Sequence, residues 1–171
     1  TLEELYLAAS LMRGLGSENI DHRLRHQDFS PSEGVRWLGM PIAALSDLQS
    51  VLVVGSNLRK DHPLFAQRIR QSARAGCAVT AITSEALLAN ESAWAMPLRA
   101  TVVAEPDEWA QALADVAAAV AAEKGVATPF EGQSTDNAKA LAKALLAGER
   151  KAILLGNAAA HHSGSSTLLA L

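Results

Sequence analysis

The chain has 171 residues, 49% hydrophobic and 19% charged, enough to bury a sizeable core as one domain and too apolar for disorder. Its 15 basic and 18 acidic residues leave a net charge of -3, which argues against a nucleic-acid surface; the nearest approach to a basic cluster is Arg23, Arg25 and His26. A lone Cys77 excludes an internal disulfide framework or a CxxC-type zinc or iron–sulfur centre, and the longest apolar run, residues 117–122, is far too short to span a membrane.

Thr1 and Glu4 have capping-box spacing at a helix start. Leu2, Leu5, Ala8 or Ala9, Met12 and Leu15 follow at helical intervals, and Gly16 is a suitable terminator, so residues 2–15 are expected to form a helix. Residues 17–40 are polar and interrupted by Pro31, Gly34 and Gly39, which reads as a long irregular connection of the kind that commonly serves a function. Residues 51–54, Val-Leu-Val-Val, are a short apolar run that stops at Gly55-Ser56-Asn57, and helical periodicity resumes over residues 64–75. With a second strand at 78–82, this is a βαβ unit.

Residues 83–97 read as a loop with one helical turn near Ala86, and residues 98–104 as a third strand weakened at Arg99. Pro106 suits a helix start, and Trp109, Leu113, Val116 and Val120 form the buried stripe of a long helix ending near Lys124-Gly125. After a loop at 126–133, Ser134 or Thr135 can cap a helix whose inner face is Ala138, Leu141, Ala142 and Leu145. Residues 151–155 form a fourth strand that also stops at a glycine, Gly156-Asn157, and residues 157–166 lead into a further helix. The alternation predicts one α/β domain over 1–171 with a Rossmann-like, mostly parallel sheet flanked by helices: residues 1–50 a helix and connection packing on the sheet, residues 51–171 the core. A start at Thr1 without methionine and an apolar end fit a piece of a larger subunit.

In such a sheet, ligands bind beyond the carboxyl ends of the strands, which makes Gly55, Ser56 and Asn57 the natural binding position. Their backbone N–H groups and short polar side chains suit a phosphate. The competing reading is a glycine that only turns the chain sharply. Neither GxGxxG nor GxxxxGK[ST] is present, and Thr83-Ser84 stand where an acidic ribose contact would be expected. His161 and His162 are adjacent and point about 100° apart on a helix, which suits capping or solvation better than a shared metal. Asp21-His22 reads as a structural pair, Cys77 as a small buried hydrophobe, and Arg59-Lys60 as a solvated pair that could also meet an anion. The 163–166 run, Ser-Gly-Ser-Ser, lacks the G-x-S-x-G nucleophile pattern, and Trp37, Trp94 and Trp109 read as core or interface residues. No catalytic set emerges.

Leu5-Tyr-Leu, the 14–22 run Gly-Leu-Gly-Ser-Glu-Asn-Ile-Asp-His, the 51–57 run, His62-Pro-Leu and Arg68-Ile-Arg70 resemble, in order, the molybdopterin oxidoreductase fold. Within it, the wording at 19–25, 37–42 and 55–60 is similar to the large iron–sulfur subunit of bacterial NADH-quinone oxidoreductase, respiratory complex I. The resemblance is close over 5–82, looser at 154–157 and 161–164, and nonspecific over 94–149. In catalytic members of the fold, the segment after Asn-x-Asp-His carries the cysteine or selenocysteine that holds molybdenum; here that place falls near Gln27, with no cysteine from 23 to 40. An Asp-Pro-Arg-like signature for the pterin nucleotide is replaced by Ile82-Thr-Ser-Glu85.

The resemblance therefore implies a cofactor-free structural domain without catalytic or metal-binding residues. Its Gly55, Ser56 and Asn57 pocket would be vestigial. Iron–sulfur clusters would lie elsewhere in the parent subunit, since a thiolate-ligated cluster commonly takes four cysteines. The implied partners are other domains of that subunit and neighbouring complex I subunits, in the peripheral arm on the cytoplasmic side of the bacterial inner membrane. The alternative is a domain that keeps a nucleotide or molybdopterin dinucleotide at the Gly55-Ser56-Asn57 turn.

Overall fold

The structure is a computed structural model that describes residues 2–20, 38–88, 94, 96–128 and 130–171. Four strands, β1 (Ser50–Val54), β2 (Ala78–Thr83), β3 (Ala100–Val103) and β4 (Lys151–Leu155), make an all-parallel sheet in the order β3-β2-β1-β4. In register, Val51 lies opposite Val79 and Ala152, and Val54 opposite Ile82 and Leu155, so these strands end level with one another. The α/β class and the parallel sheet expected from the alternating pattern are what the chain adopts.

All five residues of β1 are buried, as the central strand of a sheet covered on both faces must be. Val51 and Val53 point to one side, together with Val79, Ala81 and Ala152. They meet Leu45 and Leu48 from a 3-10 helix, Ile42–Asp47, and its flank, and Ala66 and Ile69 from α3, the helix Pro63–Arg74. Leu52, Val54 and Ile82 point to the other side. There they pack on α5 (Trp109–Lys124) and α6 (Asp136–Leu146) through Trp109, Leu113, Val116, Leu141 and Leu145. The result is three layers with two separate cores, one on each face of β1.

The inner faces read from periodicity match closely: Trp109, Leu113 and Val116 are buried, Val120 is partly so, and Ala138, Leu141, Ala142 and Leu145 are all buried. Thr135 is the cap of α6, its hydroxyl accepting from the Ala138 N–H at 3.2 Å. β3 is shorter than expected, beginning at Ala100, although the Arg99 N–H still donates to the Val79 carbonyl at 2.7 Å. A four-residue helix, α2 (Leu58–Asp61), precedes α3 where only a connection was expected, and the turn near Ala86 becomes α4 (Glu85–Leu88). The final segment forms two short helices, α7 (Asn157–Ala160) and α8 (Ser165–Ala170).

The first helix, α1 (Leu2–Gly14), ends one residue before its expected limit and has no buried residue. Among the described residues before β1, the 3-10 helix lies against α3, with Ser46 Oγ donating to Gln71 Oε1 at 3.3 Å, and Leu38 and Met40 pack against the same core. Thr1, Asp21-His22, Arg23, Arg25, His26, Gln27 and Trp37 lie outside the described residues, so the capping box, the structural pair, the basic cluster and the place of the metal ligand fall there too. Among the described residues, no helix is long and apolar enough to cross a membrane.

Candidate functional site

The carboxyl ends of β1 and β4 meet in two glycine turns. Gly55 takes φ +57, which an L side chain rarely adopts, and its N–H donates to the Ile82 carbonyl at 2.9 Å. Gly156 donates to the Val54 carbonyl at 2.8 Å, and the Gly55 carbonyl accepts from Ala158 and Ala159 at 3.0 and 3.3 Å. The two strand ends are thereby tied into one ridge. Gly156 is close against Ser56: a methyl group at position 156 would strike the Ser56 side chain and its Cα.

Ser56 and Asn57 are buried, at 1% and 8% exposure. The Ser56 hydroxyl donates to Asp61 Oδ2 at 2.9 Å, and the Asn57 N–H donates to the same oxygen at 3.0 Å. Asn57 Oδ1 in turn accepts from the Lys60 N–H at 3.3 Å. Asn57 and Asp61 thus cap α2 reciprocally, one helical turn apart, a variant of the capping box with the acid four residues on. On the other side of the turn, Trp109 is 1% exposed, and a Cβ built on Gly55 would lie 2.5 Å from its Cζ3. The indole N–H donates to the Ala104 carbonyl at 3.1 Å, fixing the ring in place.

The remaining candidates do not join this turn in a catalytic array. His162 stands near Trp109, with ring centroids 6.2 Å apart, and its Nδ1 accepts from the Gly164 N–H at 3.0 Å, closing a local turn rather than capping α8. His161 is exposed, as are Arg59 and Lys60. Trp94 and Trp109 are both buried in the core. Thr83 and Ser84 are buried at the end of β2, and the Ser84 carbonyl accepts from Leu87 and Leu88 to start α4; the Thr83 hydroxyl has no partner among the described residues. Cys77 is a buried hydrophobe, and burial pushes its thiol upward from the ordinary value against the opposing hydrogen bond with Ser72. It sits just before β2, a strand length of roughly 20 Å from the carboxyl-end turns. Among the described residues, no group of three or more His, Cys, Asp or Glu side chains could hold a metal ion.

A parallel α/β sheet whose central strand ends in a buried glycine turn belongs to the class of open-sheet domains that place ligands beyond their strand ends. The family model of molybdopterin oxidoreductase matches residues 1–169. The chain therefore belongs to the molybdopterin oxidoreductase family, a family of oxidoreductase domains. No curated protein sequence matches it.

The residues at the turn do not fit a molybdopterin dinucleotide. The Gly55 N–H, the Ser56 hydroxyl and the Asn57 N–H, which would meet a phosphate, are each committed to another group of the chain. One of those groups is a carboxylate, which would repel a phosphate at that distance. The space over Gly55 belongs to Trp109. Cys77, the only thiol in the chain, stands at the wrong end of β2 to reach a metal there. What sequence reasoning missed is Asp61; the signal was its spacing of four residues from Asn57, within a polar stretch that read as a plain connection.

Proposed function

We propose that this chain is a cofactor-free structural domain of the large iron–sulfur subunit of an NADH-quinone oxidoreductase. It supplies packing surface to the iron–sulfur domains of that subunit and to neighbouring subunits of complex I, in the peripheral arm on the cytoplasmic side of a bacterial inner membrane. Electrons from NADH pass to quinone through clusters held elsewhere in the parent subunit, and this domain is inactive alone.

The observation that carries the reading is α1. Leu2, Leu5, Tyr6, Leu7 and Leu11 are between 53% and 84% exposed on a helix with no buried residue. Apolar surface of that kind marks a protein interface more often than a solvated face. The resemblance of residues 19–25, 37–42 and 55–60 to the large iron–sulfur subunit supports those partners for that interface.

The test is assembly. The paired change Leu7→Asp and Leu11→Asp in the parent subunit is expected to reduce recovery of the intact NADH-oxidising complex severalfold, while leaving the unfolding midpoint of this domain unchanged, because neither side chain is buried within it. Normal assembly of that variant would overturn the scaffold reading.

A further inference from the structure

The turn after β1 is built around a negative charge, and the chain itself supplies that charge. Two donors, Ser56 Oγ and the Asn57 N–H, converge on Asp61 Oδ2 at 2.9 and 3.0 Å. Ser56 is 1% exposed, so its hydroxyl has no route to bulk water and depends on that acceptor. Such donors are held at ordinary hydrogen-bond lengths, and a carboxylate can accept from both on one oxygen. Asp61 reaches them because α2 carries it through one helical turn after Asn57, and Asn57 is held in turn by the Lys60 N–H. Trp109 closes the opposite side, over Gly55.

We infer that Asp61 is the resident anion of this turn: its carboxylate occupies the donors that a ligand phosphate would need, and its charge keeps such a phosphate out. The inference rests on the cofactor-free reading above and names the device that enforces it. A phosphate approaching Ser56 and Asn57 must displace a carboxylate tethered four residues away, which competes at high effective concentration and repels it before contact. Removing the carboxylate leaves two converging donors, one of them deeply buried, without an acceptor.

Thermal unfolding of the chain with and without inorganic pyrophosphate, at ionic strength held constant with sodium chloride, tests this. The native chain is expected to show no shift. Asp61→Ala is expected to unfold several degrees lower and to recover part of that loss when pyrophosphate is added. Should Asp61→Ala fail to fold, Asp61→Ser, smaller and uncharged but still polar, is expected to give the same pyrophosphate response. A pyrophosphate shift in the native chain would overturn both this inference and the cofactor-free reading. A silent native chain together with a variant that is unchanged, or destabilised yet silent to pyrophosphate, would make Asp61 an ordinary helix cap and overturn this inference alone.

Discussion

Gly55 combines two constraints that rarely coincide: a backbone at φ +57 and an indole where its side chain would begin. Gly55→Ala should therefore cost about 2–5 kcal/mol, summing the left-handed backbone penalty and the overpacking against Trp109 and the Ala159 N–H. A fall in the denaturant midpoint at unchanged slope would show it. Cys77 offers a test at alkaline pH. Burial raises its thiol pKa in the folded chain, so the folded state keeps a proton that the unfolded state has lost. The associated stability is intact below the unfolded thiol's ordinary value and declines as pH rises from there towards the folded value. As pH rises above the ordinary thiol value of about 8.5, unfolding midpoints of Cys77→Ala should fall less steeply than those of the native chain. At this scale the burial of Cys77 could be read from its place before a strand. The partner of Ser56 could not, because Asp61 looks like any surface acid until α2 folds it back.

The elements were the most legible part, and the reason is periodicity. β1 is apolar at every position from Val51 to Val54, which only a strand covered on both sides requires, and the inner faces of α5 and α6 keep a 3.6-residue repeat. α2 escaped notice because four residues are too few to show a repeat and Pro63 follows at once as the start of α3. The start of β3 moved because pairing, rather than apolarity, fixes a strand end: the register with β2 begins at Thr80 and Ala100. Thr135 illustrates a local signal that held. Its hydroxyl satisfies the Ala138 N–H, one of the orphan donors of α6, so Thr135→Ala should destabilise the chain by about 1 kcal/mol. Thr135→Ser, which keeps the hydroxyl, should restore most of that in the same denaturant titration.

On the scale of the whole molecule, two cores divide the work of holding the sheet. Val51 and Val53 serve one core and Leu52 and Val54 the other, so β1 and its closing turn are held by packing on both faces. The turn's donors are satisfied from within, by the Ile82 carbonyl and Asp61, and Trp109 fills the space where a Gly55 side chain would begin. The fold could be inferred from the sequence because the two cores together leave a wholly apolar strand and helices with a 3.6-residue apolar repeat. The state of the site could not, since it depends on two side-chain hydrogen bonds that form only once α2 folds Asp61 back, and on an aromatic contact from Trp109, distant in the chain. What the molecule turns outward instead is α1, with its run of exposed leucines.

We propose that this member of the family works without the family's cofactor. Metal analysis and pterin fluorescence of the protein, produced in a host that makes the molybdenum cofactor, address it directly. Molybdenum and pterin are expected at background. Stoichiometric molybdenum with a matching pterin signal would contradict it.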